Sequence, residues 1–252
     1  MKQKKIKKKE KIEKAKGKLG ILIPGIGGAV STTFMAGVEA IKSRTAMPIG
    51  SLTQMGTIRL GKRDEHRVPM IKDFISLTDP DDLVFYGWDV YGDNCYDAAI
   101  KAGVLERSLI DSVRYPLQQT EPQTAVFRKE FVKNLDGDNV KPHKNHLDSV
   151  EALKEDIQGF KEKNDIDRCV MIWCASTEAY LTKQGVHTTL SKIEKGLKKN
   201  DPSISPSMLY AYAALTSGIP YINGSPNLTV DIPALVELAK ERELPIGGKD
   251  FK

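Results

Sequence analysis

Four short stretches carry residue types that could do chemistry. GIGG, residues 25–28, sets Gly25, Gly27 and Gly28 between an apolar run and a helical pattern. Glycine there lets the chain turn tightly and approach a phosphate with its backbone. The helix N-terminus that follows offers unpaired N–H groups and positive potential. The third glycine of the dinucleotide fingerprint is absent, and Ser31 sits near its place. No acidic residue stands about 20 positions on, where MPIGSLTQ (residues 47–54) runs instead. Composition alone leaves a plain β–α turn open.

The other three stretches are GWD, WCASTE and NGSP. In GWD, residues 87–89, Asp89 falls just past an apolar run. It could accept hydrogen bonds from a ribose or sugar hydroxyl, or cap the helix that follows. WCASTE, residues 173–178, places small Cys174 and Ala175 before Ser176, Thr177 and Glu178. Small side chains would let a flat ring lie against the backbone, and the competing reading is a capping box with Ser176 or Thr177 as the cap. In NGSP, residues 223–226, Gly224 and Ser225 make a turn by composition.

The elements that would position these turns alternate in type. Apolar, β-rich runs cover residues 19–23, 83–90, 169–177 and 219–225. Helical spacing covers 30–41, 94–102, 147–163, 206–215 and 233–242. Strands alternating with helices predict a mostly parallel, doubly wound α/β sheet of the Rossmann type with helices on both faces. In such a sheet the four turns share the rim at the carboxyl ends of the strands, where ligands bind. Residues 117–145 are polar and weakly periodic and predict a long excursion over the sheet edge.

Charge is unevenly placed. Residues 1–18 hold ten lysines against two glutamates, so this tail carries +8 of a chain whose net charge is +5, leaving −3 for the remainder. The basic pI therefore describes a tail, expected to be a solvated extension, and residues 19–252 form the folded domain. A Lys-rich tail could touch nucleic acid or anionic lipid, but no nucleic-acid or membrane partner is expected. No apolar run approaches the ~20 residues that span a bilayer. Cys95, Cys169 and Cys174 form no CxxC, which fits a reduced, cytoplasmic chain. His143 and His146 could share a helical face, but no carboxylate or cysteine ligand pattern accompanies them, and no metal is expected.

The motifs resemble the inositol-phosphate synthase family (inositol-3-phosphate synthase, also called myo-inositol-1-phosphate synthase). The likeness is carried by GIGGAVST, GSLTQMGTIRLGKR (50–63), DLVFYGWDV (82–90), IWCASTEAY (172–180), ISPSMLYAYAAL (204–215), INGSP (222–226) and GGKDFK (247–252). It implies an NAD-dependent isomerase acting on glucose 6-phosphate in inositol and phospholipid biosynthesis. Oxidation at C5 of the open-chain sugar acidifies the C6 proton, the enolate closes on the C1 aldehyde, and re-reduction completes the turn.

Carried over residue by residue, Gly25, Gly27, Gly28, Ala29 and Val30 match the family's pyrophosphate loop, which usually holds two Asn and a third Gly. Asp89 matches the cofactor-binding aspartate. Cys174, Ala175, Ser176 and Thr177 match a Thr-Ala-Asn-Thr segment with two positions altered, and Gly224 and Ser225 match in INGSP. Asp250 matches the second aspartate of a Gly-Asp-Asp segment at the cofactor and substrate junction, where it would serve both cofactor binding and catalysis. The departures suggest a divergent bacterial branch.

In the family the chain continues beyond this segment into a tetramerising domain with the catalytic lysines. The resemblance thus implies a truncated cofactor-binding portion, inactive alone, of a homotetramer. Two alternatives have their own signatures. One is a non-catalytic dinucleotide-binding module. The other is an NAD-dependent sugar-phosphate dehydrogenase, which would need a base such as His187 or Lys183 at the cofactor.

Overall fold

In a computed structural model, residues 13–142 and 144–251 are described. Most of the Lys-rich tail (1–12), together with His143 and Lys252, lies outside them. The strands are β1 (Lys18–Pro24), β2 (Leu83–Asp89), β3 (Gln123–Thr124), β4 (Ile166–Trp173), β5 (Tyr221–Asn223) and β6 (Ile246–Gly248). The helices are α1 (Ala29–Lys42), α2 (Leu52–Met55), α3 (Cys95–Ala102), α4 (Arg107–Ser112), α5 (Arg114–Gln118), α6 (His146–Asn164), α7 (Leu190–Lys199), α8 (Pro206–Thr216) and α9 (Pro233–Glu241).

All pairings in the sheet are parallel, in the order β3-β2-β1-β4-β5-β6. This is the doubly wound order, in which connections run to one side of β1 and then to the other. The doubly wound expectation holds, with two strands that periodicity did not reveal. The excursion over 117–145 contributes β3, and the start of the terminal IGGKDFK stretch forms edge strand β6.

Side-chain alternation along the strands divides the core into two layers. Ile21 and Ile23 of β1 pack with Met35 of α1 and with Cys95 and Ala99 of α3. Leu22, between them, points the other way and joins Trp88, Met171 and Trp173 against Leu153 and Ile157 of α6 and the buried face of α8. Every residue from Pro206 to Ala211 is buried. An apolar helix without a polar face belongs inside the molecule.

Glycines serve close approach in the central strands. A Cβ on Gly20 would lie 2.7 Å from the Phe160 ring, and one on Gly87 would lie 2.1 Å from the Ile23 carbonyl oxygen. The second position matters most for function, because the chain leaving β1 crosses over β2 there.

One polar junction fastens α6 to the sheet end. Trp88 Nε1 donates to Asp156 Oδ2 at 2.6 Å, and Lys141 Nζ pairs with the same oxygen at 2.8 Å. Both charged side chains are largely withdrawn from water. Removing the carboxylate strands a buried indole N–H and a poorly solvated ammonium. Asp156→Ala is therefore expected to cost about 2–4 kcal/mol, read as a lower urea midpoint at unchanged slope. A midpoint equal to wild type would show the junction to be dispensable.

Candidate functional site

The first site element is the turn leaving β1. Gly25 adopts φ +83°, which side chains disfavour, and a Cβ there would sit 2.5 Å from the backbone of Ala175. Gly25 N and Ile26 N both donate to the Trp88 carbonyl, at 2.7 and 3.2 Å. Gly28 then caps α1 without any side-chain acceptor, and no acidic residue lies in the first turn. The leading amides of a 14-residue helix are thus left for an anion, with the helix dipole behind them.

Ser31 explains the missing third glycine. Its hydroxyl donates to the Gly25 carbonyl at 2.7 Å, and the side chain is fully buried. The turn is closed by a side-chain hydrogen bond where the fingerprint would use close packing.

Asp89, at the end of β2, locks the turn from the other side. Its Oδ2 accepts the Gly27 amide at 2.9 Å and its Oδ1 accepts the Tyr91 amide at 3.1 Å. Burial pushes the carboxyl above its usual range, while these amides pull it back toward ionisation. Asp89 stands at the end of β2, the strand end where the dinucleotide fingerprint carries its acidic residue. The excursion over residues 43–82, between α1 and β2, only delays it in sequence.

The third element follows β4. Cys174 N donates to the Pro24 carbonyl, Ser225 Oγ donates to the Ala175 carbonyl, and Gly224 N donates to the Trp173 carbonyl. Ser176 and Thr177 are exposed, whereas Glu178 is buried. Burial pushes the half-buried Cys174 thiol up to about 11.

These elements enclose a cleft of about 600 Å³ at the carboxyl edge of the sheet. It brings together Gly25, Gly27, Gly28, Ala29, Val30, Asp89, Cys174, Ala175 and Ser176. Thr177, Gly224, Ser225 and Asp250 stand outside the lining. Gly224 and Ser225 lie behind it, holding the β4 turn. A Cβ on Gly224 would meet the Phe251 ring at 2.1 Å, so the GGKDFK segment folds onto this turn. Asp250 has φ +68° and its Oδ1 accepts the Phe251 amide at 2.9 Å.

Sequence reasoning missed the floor and the far wall. The floor is Trp88, Trp173 and Tyr210, and the far wall is Ala125, Val126 and Phe127. The wall comes from the polar excursion, where no periodicity marks it. Glu178, noted in sequence only as the carboxylate of WCASTE, lines the cleft from a buried position. His187 and Lys183 do not line it. His187 is fully buried, with Nε2 at 2.9 Å from the Ser203 carbonyl and Nδ1 accepting the Gln184 amide.

A doubly wound sheet with a glycine turn, a free helix N-terminus and a carboxylate at the end of β2 defines a dinucleotide-binding domain. Residues 19–252 match the family model described as myo-inositol-1-phosphate synthase. The chain is 43% identical over 245 residues to inositol-3-phosphate synthase 1 of Bacteroides thetaiotaomicron, covering 97% of this chain and 56% of that one. It is 37% identical to inositol-3-phosphate synthase 1 of Oryza sativa, covering 93% and 49%. The solved inositol-3-phosphate synthase of Caenorhabditis elegans superposes with a TM-score of 0.85 at 30% identity, covering 94% and 49%. The chain belongs to the myo-inositol-1-phosphate synthase family, and the matched model is its NAD-binding domain, so NAD is its cofactor. It spans about half the length of the curated relatives it matches.

The cleft fits such a cofactor. Side chains would fill the cradle at Gly25 and Gly27, and Trp173 Nε1, at the floor, is a buried donor without a partner. If the cradle needs a bare left-handed residue, Gly25→Ala should cost more than about 1 kcal/mol and abolish NAD binding. Thermal unfolding and a binding isotherm check both; an alanine variant that binds NAD normally would remove the turn from the site.

Proposed function

We propose that this cleft holds NAD for the conversion of glucose 6-phosphate to 1D-myo-inositol 3-phosphate. The observation that carries the proposal is the Gly27 amide on the Asp89 carboxylate, which joins a phosphate-type turn to a ribose-type acceptor at the switch point beside β1. In this reading the α1 N-terminus takes the pyrophosphate through the amides after Gly28. Asp89 accepts from the adenosine ribose hydroxyls. The turn over Cys174, Ala175, Ser176 and Thr177 borders the half that remains, with Gly224 and Ser225 supporting it and Asp250 closing its outer side. When bound, NAD supplies the hydride acceptor for sugar oxidation and the donor for re-reduction.

Closure of the sugar ring needs cations for the phosphate and the oxyanions. Among the described residues the cleft lining holds one, Lys101, and both oxygens of Asp93 engage it at 2.7 and 2.6 Å. We therefore assign this stretch the cofactor half of the reaction, with residues 19–252 as its domain. Expressed alone it is expected to bind NAD without releasing inositol phosphate. The complete enzyme is read as a cytoplasmic homotetramer; among the described residues no helix is long and apolar enough to cross a membrane.

The chain carries two tryptophans, Trp88 and Trp173, and both line the cleft. NAD is expected to quench their fluorescence saturably. Asp89→Ala should weaken the affinity by about tenfold or more, worth roughly 1.4 kcal/mol, and NADP should bind more weakly because its 2′-phosphate meets Asp89. Absence of quenching at millimolar NAD would refute the assignment.

The thiol supplies a second check. Because the thiolate is the reactive form, Cys174 should be alkylated slowly at pH 7 and ever faster up to about pH 11. Saturating NAD should slow that labelling, and a rate indifferent to NAD would place Cys174 outside the bound surface.

A further inference from the structure

Glu178 is a buried carboxylate that none of the roles above uses. Its Oε1 accepts the Ser207 amide at 2.7 Å, and its Oε2 accepts the Ser207 hydroxyl at 2.6 Å. The Ser207 hydroxyl lies 2.6 Å from Thr229 Oγ1 and 3.1 Å from Ser205 Oγ. With its own hydrogen donated to Glu178, it accepts hydrogen bonds from both neighbours. The hydroxyls therefore converge on the carboxylate as their common sink. Every member of this cluster is buried.

The location gives the cluster a purpose. The Ser205 side chain caps no backbone amide of α8, and Pro206 has no amide to offer. Ser207 therefore presents the first free amide of α8, and a side chain 29 residues away satisfies it. A carboxylate at a helix N-terminus is also favoured by the dipole, which offsets part of its desolvation. The Glu178 amide donates to Asn227 Oδ1 at 2.8 Å, and the Ala179 amide to the Phe131 carbonyl at 2.7 Å. One residue thus joins the β4 exit turn, the start of α8 and the turn after β5. Those segments supply Cys174, Ser176, Pro206 and Tyr210 to the cleft.

Asp89 does the corresponding work on the β2 side, where it ties the glycine turn. The two carboxylates hold opposite halves of the cleft, and no hydrogen bond joins the two clusters among the described residues.

We infer that Glu178 is a positioning residue for the β4–β5 half of the cofactor cleft, shaping the surface that meets the non-adenosine half of the dinucleotide. The inference rests on the NAD reading of the cleft. Its hydrogen-bonding oxygens set the backbone of the Cys174–Thr177 turn, and the adenosine half keeps its own anchor. Nothing in this role requires Glu178 to touch the cofactor.

The test compares NAD with ADP, which lacks the distal half, on wild type, Glu178→Ala and Glu178→Gln. Glu178→Ala is expected to weaken NAD about tenfold or more while moving ADP by less than about twofold. Cys174, followed by peptide mapping, should be alkylated about tenfold faster as its turn loosens. Glu178→Gln keeps an oxygen for the Ser207 amide and a nitrogen for its hydroxyl, so it should restore both readouts to within about threefold.

Unchanged NAD affinity and unchanged Cys174 labelling in Glu178→Ala would overturn the inference. So would equal losses of NAD and ADP, which mark a general structural defect. Should Glu178→Ala fail to fold, Ser207→Ala decides, with a smaller shift of the same two readouts expected and no shift fatal. If wild type binds neither nucleotide, the cofactor reading fails, and the Cys174 rate alone then rules on Glu178.

Discussion

The site depends on one short contact between neighbouring strand ends, the Gly27 amide on Asp89 Oδ2. Three conditions must hold for it to form. Gly25 must take a left-handed backbone so that the chain doubles back after Pro24. Gly87 must lack a side chain, since a Cβ would strike the Ile23 carbonyl and the chain crossing above it. Strand β2 must also lie in parallel register with β1, Pro24 opposite Trp88, so that Asp89 emerges beside the turn. The register in turn rests on Ile23 and Leu22, whose opposite orientations commit them to different core layers.

How much of this was legible in the sequence follows from what each feature depends on. Strands β1, β2 and β4 are apolar runs bounded by small or polar residues, and their burial made them readable. Strand β3 is only Gln-Thr and β6 is Ile-Gly-Gly, so neither shows the apolar run that marked the similarly short β5. Asp89 was identifiable as a carboxylate past a strand, but its distance from the turn was not. That distance is set by residues 43–82, which leave the sheet and return with no effect on the pairing of β1 with β2. Ser31 read as a defect because sequence records the absent glycine and not the hydroxyl bond to Gly25 that replaces it. Glu178 was visible as a residue type only. Its significance lies in contacts with Ser207 and Asn227, 29 and 49 positions away.

The buried Glu178 and the partly buried Asp89 follow the same physical rule. Each is pushed toward neutrality by burial and drawn back by donors that include backbone amides, Gly27 and Tyr91 for Asp89 and Ser207 for Glu178. A carboxylate so placed acts as a clamp on main chain, because its geometry is fixed by groups that every sequence possesses. The resemblance to the family implies Asn at two positions where this chain has Ala29 and Val30. Those side chains could change because the amides after Gly28 remain available at the helix start. A fold that superposes at a TM-score of 0.85 with 30% identity is consistent with a site built largely from backbone.

The same economy accounts for the charge distribution of the cleft. An N-terminal helix end and a ring of amides can hold a pyrophosphate without lysine or arginine, and among the described residues the one cation in the lining is Lys101, already engaged by Asp93. The basic excess of the chain lies in residues 1–18, and the remainder is net acidic. A cleft of this kind offers an anion fixed backbone dipoles in place of side-chain cations.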